Sequence, residues 1–149
     1  MHIVLYKPDI PQNTAAIIRL SACLNLNLHI IEPCGFNLND SRFKRVAMDY
    51  MGLGKIFRYS DYDSFLKKHK KTRIVLMTTK AKKLYHDFKF KKTDMLLFGR
   101  ESAGVPEKLH KSIKNKVKIP MNKKTRSLNV AISVAIISSE ALRQNNFLR

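Results

Sequence analysis

Short apolar runs alternate with helical patterns along almost the whole of this 149-residue chain. The runs have the length and the β-branched or aromatic content of strands, and segments with helical spacing of apolar residues lie between them. This alternation predicts an α/β fold with a parallel sheet. Predicted strands cover residues 2–6, 28–31, 55–59, 74–78, 95–98 and 117–119. No linker, repeat or low-complexity tract divides the chain, so residues 1–149 are predicted to form a single domain.

Four segments between or after these runs carry helical patterns. Asn13 is a suitable N-cap for the first, and a short basic helix is predicted over residues 41–47. The third begins at Asp61 or Asp63. The last covers residues 127–144 and is apolar on more than one side near its start, which predicts burial against the sheet and against a partner subunit.

Positive charge is the strongest global feature of the composition. Lys and Arg number 29 against 11 Asp and Glu, which gives a formal net charge of +18. Such a field attracts polyanions, so nucleic acid is the expected partner, although a lysine-rich genome composition would also raise the charge. Charge alone does not choose between RNA and DNA.

The remaining composition favours a cytoplasmic protein without a metal. No apolar run approaches the roughly 18 to 20 residues that cross a bilayer, and the first residues read as a strand and not as a signal peptide. Cys23 is predicted as a core residue and Cys34 as a loop residue, both reduced. No Cys/His cluster has metal-ligand spacing, and the five histidines are interpreted as surface or strand-edge residues.

Two loop-to-helix junctions combine turn-forming and polar residues. Residues 11–19 include Asn13 and Arg19, at a place where unpaired backbone N–H groups suit a phosphate or a ribose. Residues 96–106 run from an apolar strand into Gly99, Glu101 and a proline that can open a helix. Ligands gather at the carboxyl ends of parallel strands, and a glycine there lets a ligand approach the backbone. A plain helix cap and a plain strand–turn–helix joint are the alternatives.

A third junction covers residues 119–131, where a strand leads through a polar loop into an apolar helix. Ser127 is either an N-cap or a loop contact. Asn129 is a poor choice inside an apolar helical turn, which predicts a hydrogen bond to a distant group. The sequence has no GxGxxG, GxxxxGK[ST] or GxSxG motif, so dinucleotide-binding, P-loop and hydrolase functions are disfavoured.

Taken together, the three junctions resemble the three motifs of the SPOUT RNA methyltransferases. They read Asn13-Thr14 with Arg19, then Phe98-Gly99-x-Glu101-x-x-Gly104-Val105-Pro106, then Ile119-Pro120-Met121 with Arg126-Ser127-Leu128-Asn129, and Asp49-Tyr50 adds to the likeness. Within the superfamily the chain is most similar to the short tRNA (cytidine/uridine-34-2′-O)-methyltransferases. The resemblance covers nearly the whole chain.

The resemblance implies a parallel α/β fold with a C-terminal trefoil knot, a homodimer, S-adenosyl-L-methionine as cofactor and the anticodon stem-loop of tRNA as partner. The implied cofactor-binding residues are Met77, Gly99, Ile119, Ser127 and Leu128. The predicted catalytic set is Arg19, Asn13, Glu101 and Asn129. Arg19 is expected near the ribose and the adjacent phosphate, as a positioning group, because a guanidinium stays protonated in proteins.

One departure from the family and two alternative functions stand beside this interpretation. Family members commonly carry Gly-Asn where this chain has Ala15-Ala16, which changes the RNA contact at that loop. A non-catalytic, basic RNA-binding protein would also fit the charge and the size. A SPOUT enzyme that methylates rRNA or another tRNA position would share the same three motifs.

Overall fold

In a computed structural model that describes residues 1–41, 43, 45, 47, 50 and 55–146, the chain is built on a six-stranded sheet. Its order is β3-β2-β1-β5-β4-β6, and each pair of neighbouring strands is parallel. The strands are β1 (His2–Tyr6), β2 (Asn27–Ile31), β3 (Ile56–Tyr59), β4 (Ile74–Met77), β5 (Met95–Phe98) and β6 (Asn115–Val117). The helices are α1 (Pro11–Cys23), α2 (Tyr62–Lys68), α3 (Glu107–Ser112) and α4 (Val130–Gln144), with a 3₁₀ turn at Tyr85–Asp87. The predicted parallel α/β sheet is confirmed.

Apolar side chains cover both faces of the sheet, because neighbouring residues of a strand point to opposite sides. In β1, Ile3 and Leu5 join the core beneath α1 and α4, whereas Val4 joins the core beneath α2 and α3. Met95 and Leu96 divide in the same way at the start of β5. This two-sided burial explains why the strands read as nearly continuous apolar runs in the sequence.

Two of the predicted helix starts differ from the structure. Helix α1 begins at Pro11 with Ile10 as its N-cap, so the prediction that Asn13 caps it is wrong. Proline at the first helical position needs no hydrogen-bonded N–H, which makes the earlier start favourable. Helix α4 begins at Val130, and Asn129 is its N-cap in place of Ser127. For α2, the predicted Asp61 is confirmed as the N-cap.

Other sequence-based expectations are corrected in detail. Cys23 is exposed at the end of α1 and not in the core. The last strand lies at Asn115–Val117, earlier than the predicted residues 117–119. In the helix predicted over residues 41–47, the described positions 41, 43, 45 and 47 are helical, and the others lie outside the described residues, as does Asp49.

A buried histidine under α2 contradicts the interpretation of all five histidines as surface or strand-edge residues. His29 is 2% exposed, and its two ring nitrogens lie 2.9 Å from His2 Nδ1 and 2.9 Å from the Tyr59 hydroxyl. The same hydroxyl lies 2.9 Å from His69 Nε2. Burial lowers the pKa of His29 to about 3 and that of His2 to about 4, since the protonated ring loses its hydration.

The carboxyl ends of β1, β5, β4 and β6 lie side by side, because these strands are consecutive and parallel in the sheet. The loops that follow them therefore meet at one edge of the molecule, which is where ligands bind in open parallel sheets. Among the described residues, no helix combines the length and the apolar character needed to cross a membrane.

Candidate active site

A pocket with a volume of about 460 Å³ lies at this carboxyl edge. The residues directly after β4, β5 and β6 form its sides, and the start of α4 closes it. Its apolar lining comprises Ile10, Leu76, Met77, Phe98, Ala103, Val105, Val117, Ile119, Met121, Leu128, Val130 and Ile137. Polar and charged side chains also line the pocket, among these apolar residues. Such a pocket suits a ligand with a flat apolar part and a few hydrogen-bonding groups.

All five residues predicted to bind the cofactor line this pocket. Met77 ends β4, Gly99 follows β5 and Ile119 follows β6. Ser127 and Leu128 come from the loop before α4. The structure thus brings together residues that are separated by up to about fifty positions in the sequence, and their binding role remains a prediction.

The loop after β5 is folded back on itself at two glycines. Arg100 N donates to Gly104 O at 2.9 Å, and Gly104 N donates to Arg100 O at 2.8 Å. A Cβ atom on Gly99 would lie 2.5 Å from the carbonyl carbon of Gly104, so the turn closes only without a side chain there. Gly104 has φ +66, a left-handed conformation that glycine adopts at low cost. The exposed backbone of this turn, residues 99–104, forms one edge of the pocket, which we call its lip.

Three of the four predicted catalytic residues form one chain of hydrogen bonds. Asn13 Nδ2 donates to Glu101 Oε1 at 3.0 Å, and Asn129 Nδ2 donates to Asn13 Oδ1 at 2.8 Å. Asn129 Oδ1 accepts from the backbone N–H groups of Ala131 and Ile132 at 2.8 and 3.3 Å. The distant hydrogen bond predicted for Asn129 is therefore confirmed.

The chemistry at the two ends of this chain fixes the orientation of both amides. A carboxylate only accepts and a backbone N–H only donates, so each amide can point one way alone. The chain ties the helix α1 segment, the loop after β5 and the start of α4 together. Among the described residues, Glu101 is the single acidic side chain that lines the pocket.

Asp9 supports this arrangement, and the sequence analysis missed it. Its carboxylate accepts from Arg100 Nη2 at 2.7 Å and from the Ser102 backbone N at 3.2 Å, and its own backbone N donates to Glu101 Oε2 at 2.7 Å. The hydrogen bonds from Arg100 and Ser102 lower the pKa of Asp9 to about 2. An acidic residue between two prolines after β1, beside β5 in the sheet, is the signal that could have identified it.

The fourth predicted catalytic residue, Arg19, is not brought into the pocket of its own chain. It lies on the exposed side of α1, where Nη2 donates to the Tyr50 hydroxyl at 3.0 Å. Its guanidinium carbon lies 4.8 Å from the centre of the Tyr50 ring, a cation–π arrangement. The catalytic role of Arg19 stays a prediction.

Further polar groups in the pocket were also missed by sequence reasoning. Lys80, Lys118 and His110 line it, together with the Thr78-Thr79 pair. Within the described part of the chain, no group of three or more His, Cys, Asp or Glu side chains is arranged to hold a metal ion.

The SpoU rRNA methylase family model matches residues 1–139. The chain belongs to the SpoU methylase family. A relative from Ancylobacter novellus, named tRNA (cytidine(34)-2′-O)-methyltransferase, is 46% identical over 95% of this chain and 91% of its own length. A relative of the same name from Escherichia coli K12 is 38% identical over 97% of this chain and 93% of its own. The expected resemblance is confirmed.

Solved structures agree with the family assignment. A structure described as giving insight into 2-OH methylation of C/U34 on tRNA superposes with a TM-score of 0.92 at 35% identity and covers 97% of this chain and 95% of its own. The SpoU methyltransferase AviRb from Streptomyces viridochromogenes, solved with the cofactor AdoMet, has a TM-score of 0.84 at 24% identity, covering 98% of this chain and 60% of its own. At that identity, AviRb supports the fold alone.

Proposed function

We propose that this protein is an S-adenosylmethionine-dependent tRNA ribose 2′-O-methyltransferase that acts on nucleotide 34, a cytidine or uridine in the anticodon loop. The observation that carries the proposal is the 46% identity, over 95% of the chain, to a relative named for methylation of cytidine 34. The family description mentions rRNA, but relatives of nearly equal length share the tRNA name.

The pocket fits the proposed cofactor. Apolar side chains at the end of β4 and after β6 suit the adenine, and the turn at Gly99 lets the backbone come close where a Cβ would meet Gly104. The pocket offers partners for both charges of the cofactor, since the Glu101 carboxylate suits a cationic group and Lys80, Arg100 and Lys118 suit a carboxylate. S-adenosylmethionine supplies a methyl group already activated on a sulfonium sulfur.

The residues of the chain then have to position the ribose and assist loss of its 2′-hydroxyl proton. The Glu101–Asn13–Asn129 chain holds the pocket lip and the start of α4 at a fixed spacing. Arg19 binds the ribose and the adjacent phosphate with its guanidinium N–H groups. Since Arg stays protonated, it aligns the nucleophile and stabilises negative charge without taking the proton.

A homodimer brings Arg19 to the pocket of the partner copy in this proposal. Three large apolar side chains are exposed at the starts of α1 and α4: Ile10 at 41%, Leu128 at 40% and Ile132 at 53%. An exposed apolar group of this kind beside a pocket favours an interface between subunits. The single-domain organisation, the trefoil knot around the pocket and the cytoplasmic location predicted from the sequence belong to the same proposal.

The basic stretches 67–71, 80–83, 89–92 and 108–118 form the tRNA-binding surface in this proposal. Lys80 and Lys118 from these stretches line the pocket, which links that surface to the reaction centre. Contacts of this kind go mainly to phosphates, so they position the RNA without reading its sequence.

The test uses purified protein, labelled S-adenosylmethionine and tRNA, followed by mapping of 2′-O-methyl groups. We expect methylation at nucleotide 34. We expect Arg19→Ala to abolish methyl transfer while the Kd for S-adenosylhomocysteine stays within about twofold, because the side chain lies outside the pocket. Arg58→Ala is the matched control, since that arginine forms an exposed ion pair with Glu32.

Each alternative function has a distinct outcome in this test. Absence of S-adenosylhomocysteine binding would favour the non-catalytic RNA-binding protein. Methylation of rRNA or of another tRNA position, with nucleotide 34 unmodified, would favour the second alternative. Normal turnover by Arg19→Ala would show that Arg19 has no role in the mechanism, but the proposed methyltransferase activity would still stand.

A further inference from the structure

A histidine of the pocket carries a polar atom without a partner. His110 lines the pocket, and its Nε2 atom is buried with no hydrogen-bond partner in the described part of the chain. A buried polar atom left unpaired costs about as much as a lost hydrogen bond. Such atoms are rare in native proteins, and each calls for a specific reason.

The placement of α3 explains why His110 faces the pocket. Its neighbour Leu109 and the following Ile113 pack into the apolar core, which anchors one side of the helix. Glu107 lies one turn before His110, and its carboxylate is 3.6 Å from Lys80 Nζ, another pocket-lining residue. Residues three apart share a helix face, so this face of α3 is turned to the loop after β4.

The burial of Nε2 also restricts the ligand atom that it can meet. A charged carboxylate or ammonium group would lose its hydration against a buried atom, which is costly without an unpaired opposite charge, and the Lys80 ammonium on this side of the pocket is already paired with Glu107. A purine offers neutral donors and acceptors on its edge, so it can pair with either tautomer of the imidazole. The nucleobase therefore suits this position, and the amino-acid end of the cofactor does not.

We propose that His110 Nε2 hydrogen-bonds the adenine base of the cofactor and so helps to select an adenosyl ligand. This inference rests on the proposed function, which assigns the pocket to S-adenosylmethionine. It adds a residue from α3 to the predicted cofactor contacts, which all lie on β4 and the loops after β5 and β6.

Two ligands and one substitution test the proposal. S-adenosylhomocysteine carries both the base and the amino-acid group, whereas 5′-methylthioadenosine carries the base alone. For His110→Leu we expect calorimetry to show a Kd that is three- to tenfold higher for both ligands, about the value of one hydrogen bond. We expect the Tm of the ligand-free variant to be equal or higher, because an apolar side chain removes the unpaired atom.

His86→Leu and His110→Gln provide the controls. His86 is about half exposed and lies outside the pocket, so its substitution leaves both Kd values unchanged. Glutamine can donate and accept, so His110→Gln recovers part of the affinity that leucine loses.

The outcomes separate the two proposals. Unchanged affinity of His110→Leu for S-adenosylhomocysteine, with normal binding by the natural protein, overturns this inference alone. If His110→Leu loses affinity for S-adenosylhomocysteine but not for 5′-methylthioadenosine, the inference is also overturned, since His110 would then contact the amino-acid end of the ligand. A lowered Tm in the ligand-free His110→Leu variant would show a structural role instead. No binding of either ligand by the natural protein overturns the proposed function and this inference together.

Discussion

The turn after β5 offers the most direct test of the pocket, through Gly99→Ala. The new Cβ would lie 2.5 Å from the Gly104 carbonyl carbon, and ordinary contact begins at 3.4 Å, so the two sides of the turn must separate by about 0.9 Å. Both backbone hydrogen bonds between Arg100 and Gly104 would then stretch beyond bonding distance. At about 1 kcal/mol each, their loss makes the closed turn about 2 kcal/mol less favourable, so a ligand that binds only the closed turn binds about 20- to 30-fold more weakly.

Calorimetric titration with S-adenosylhomocysteine measures this effect, and Gly104→Ala is the matched control. A Cβ on Gly104 meets nothing within 4 Å, but its φ of +66 makes alanine strained by about 1 kcal/mol. We therefore expect Gly104→Ala to weaken binding about fivefold, clearly less than Gly99→Ala. Natural affinity in Gly99→Ala, or a larger loss in Gly104→Ala, would refute the reasoning.

Two further predictions concern stability. The pKa of His29 is lowered from 6.5 to about 3, so on acidification the unfolded chain takes up a proton first, and stability present above about pH 6.5 is lost as the pH falls toward 3. In urea unfolding, the free energy of unfolding of the natural protein should fall by about 2 kcal/mol more than that of His29→Leu between pH 7.5 and pH 5. Equal decreases would contradict the lowered pKa of His29. Asp94 is fully buried and its carboxylate lies 2.6 Å from Arg73 Nη2, so Asp94→Asn should cost about 2–4 kcal/mol in the same assay. The exposed pair Lys80–Glu107 is the control, and Glu107→Gln should cost less than about 1 kcal/mol; similar values for the two variants would be inconsistent with burial as the cause.

The sheet could be predicted from the sequence because its strands are buried on both faces. Residues His2–Tyr6 and Met95–Phe98 are nearly all apolar, and their predicted bounds agree with the structure. Helix starts were less predictable. Asn13 has the side chain of an N-cap, but Pro11 starts the helix earlier and leaves the amide to bond Glu101. The preference of asparagine for an N-cap position is therefore overridden by its tertiary hydrogen bond to Glu101.

Pocket residues were predictable where they follow a strand, and less so elsewhere. Gly99 comes directly after the apolar strand β5, and Ile119 lies two residues after the end of β6, so parallel-sheet geometry points to both. His110 depends on which face of a short helix is turned inward, which local spacing does not give. The position of Asp9 between two prolines is informative only once β1 and β5 are known to be neighbours. The buried His29 was missed for the same reason, since its partners come from other strands.

The hydrogen bond between Asn13 and Asn129 joins residues 116 positions apart, and it has a consequence for synthesis of the protein. A nascent chain that has emerged only as far as α3 can form the Asn13–Glu101 hydrogen bond at the lip of the pocket, but it lacks Asn129, which ties the start of α4 to α1. Contacts of such long range also form slowly, because distant segments must be brought together first. Cofactor affinity should therefore rise only after the last helix has docked, which makes ligand binding a measure of complete folding.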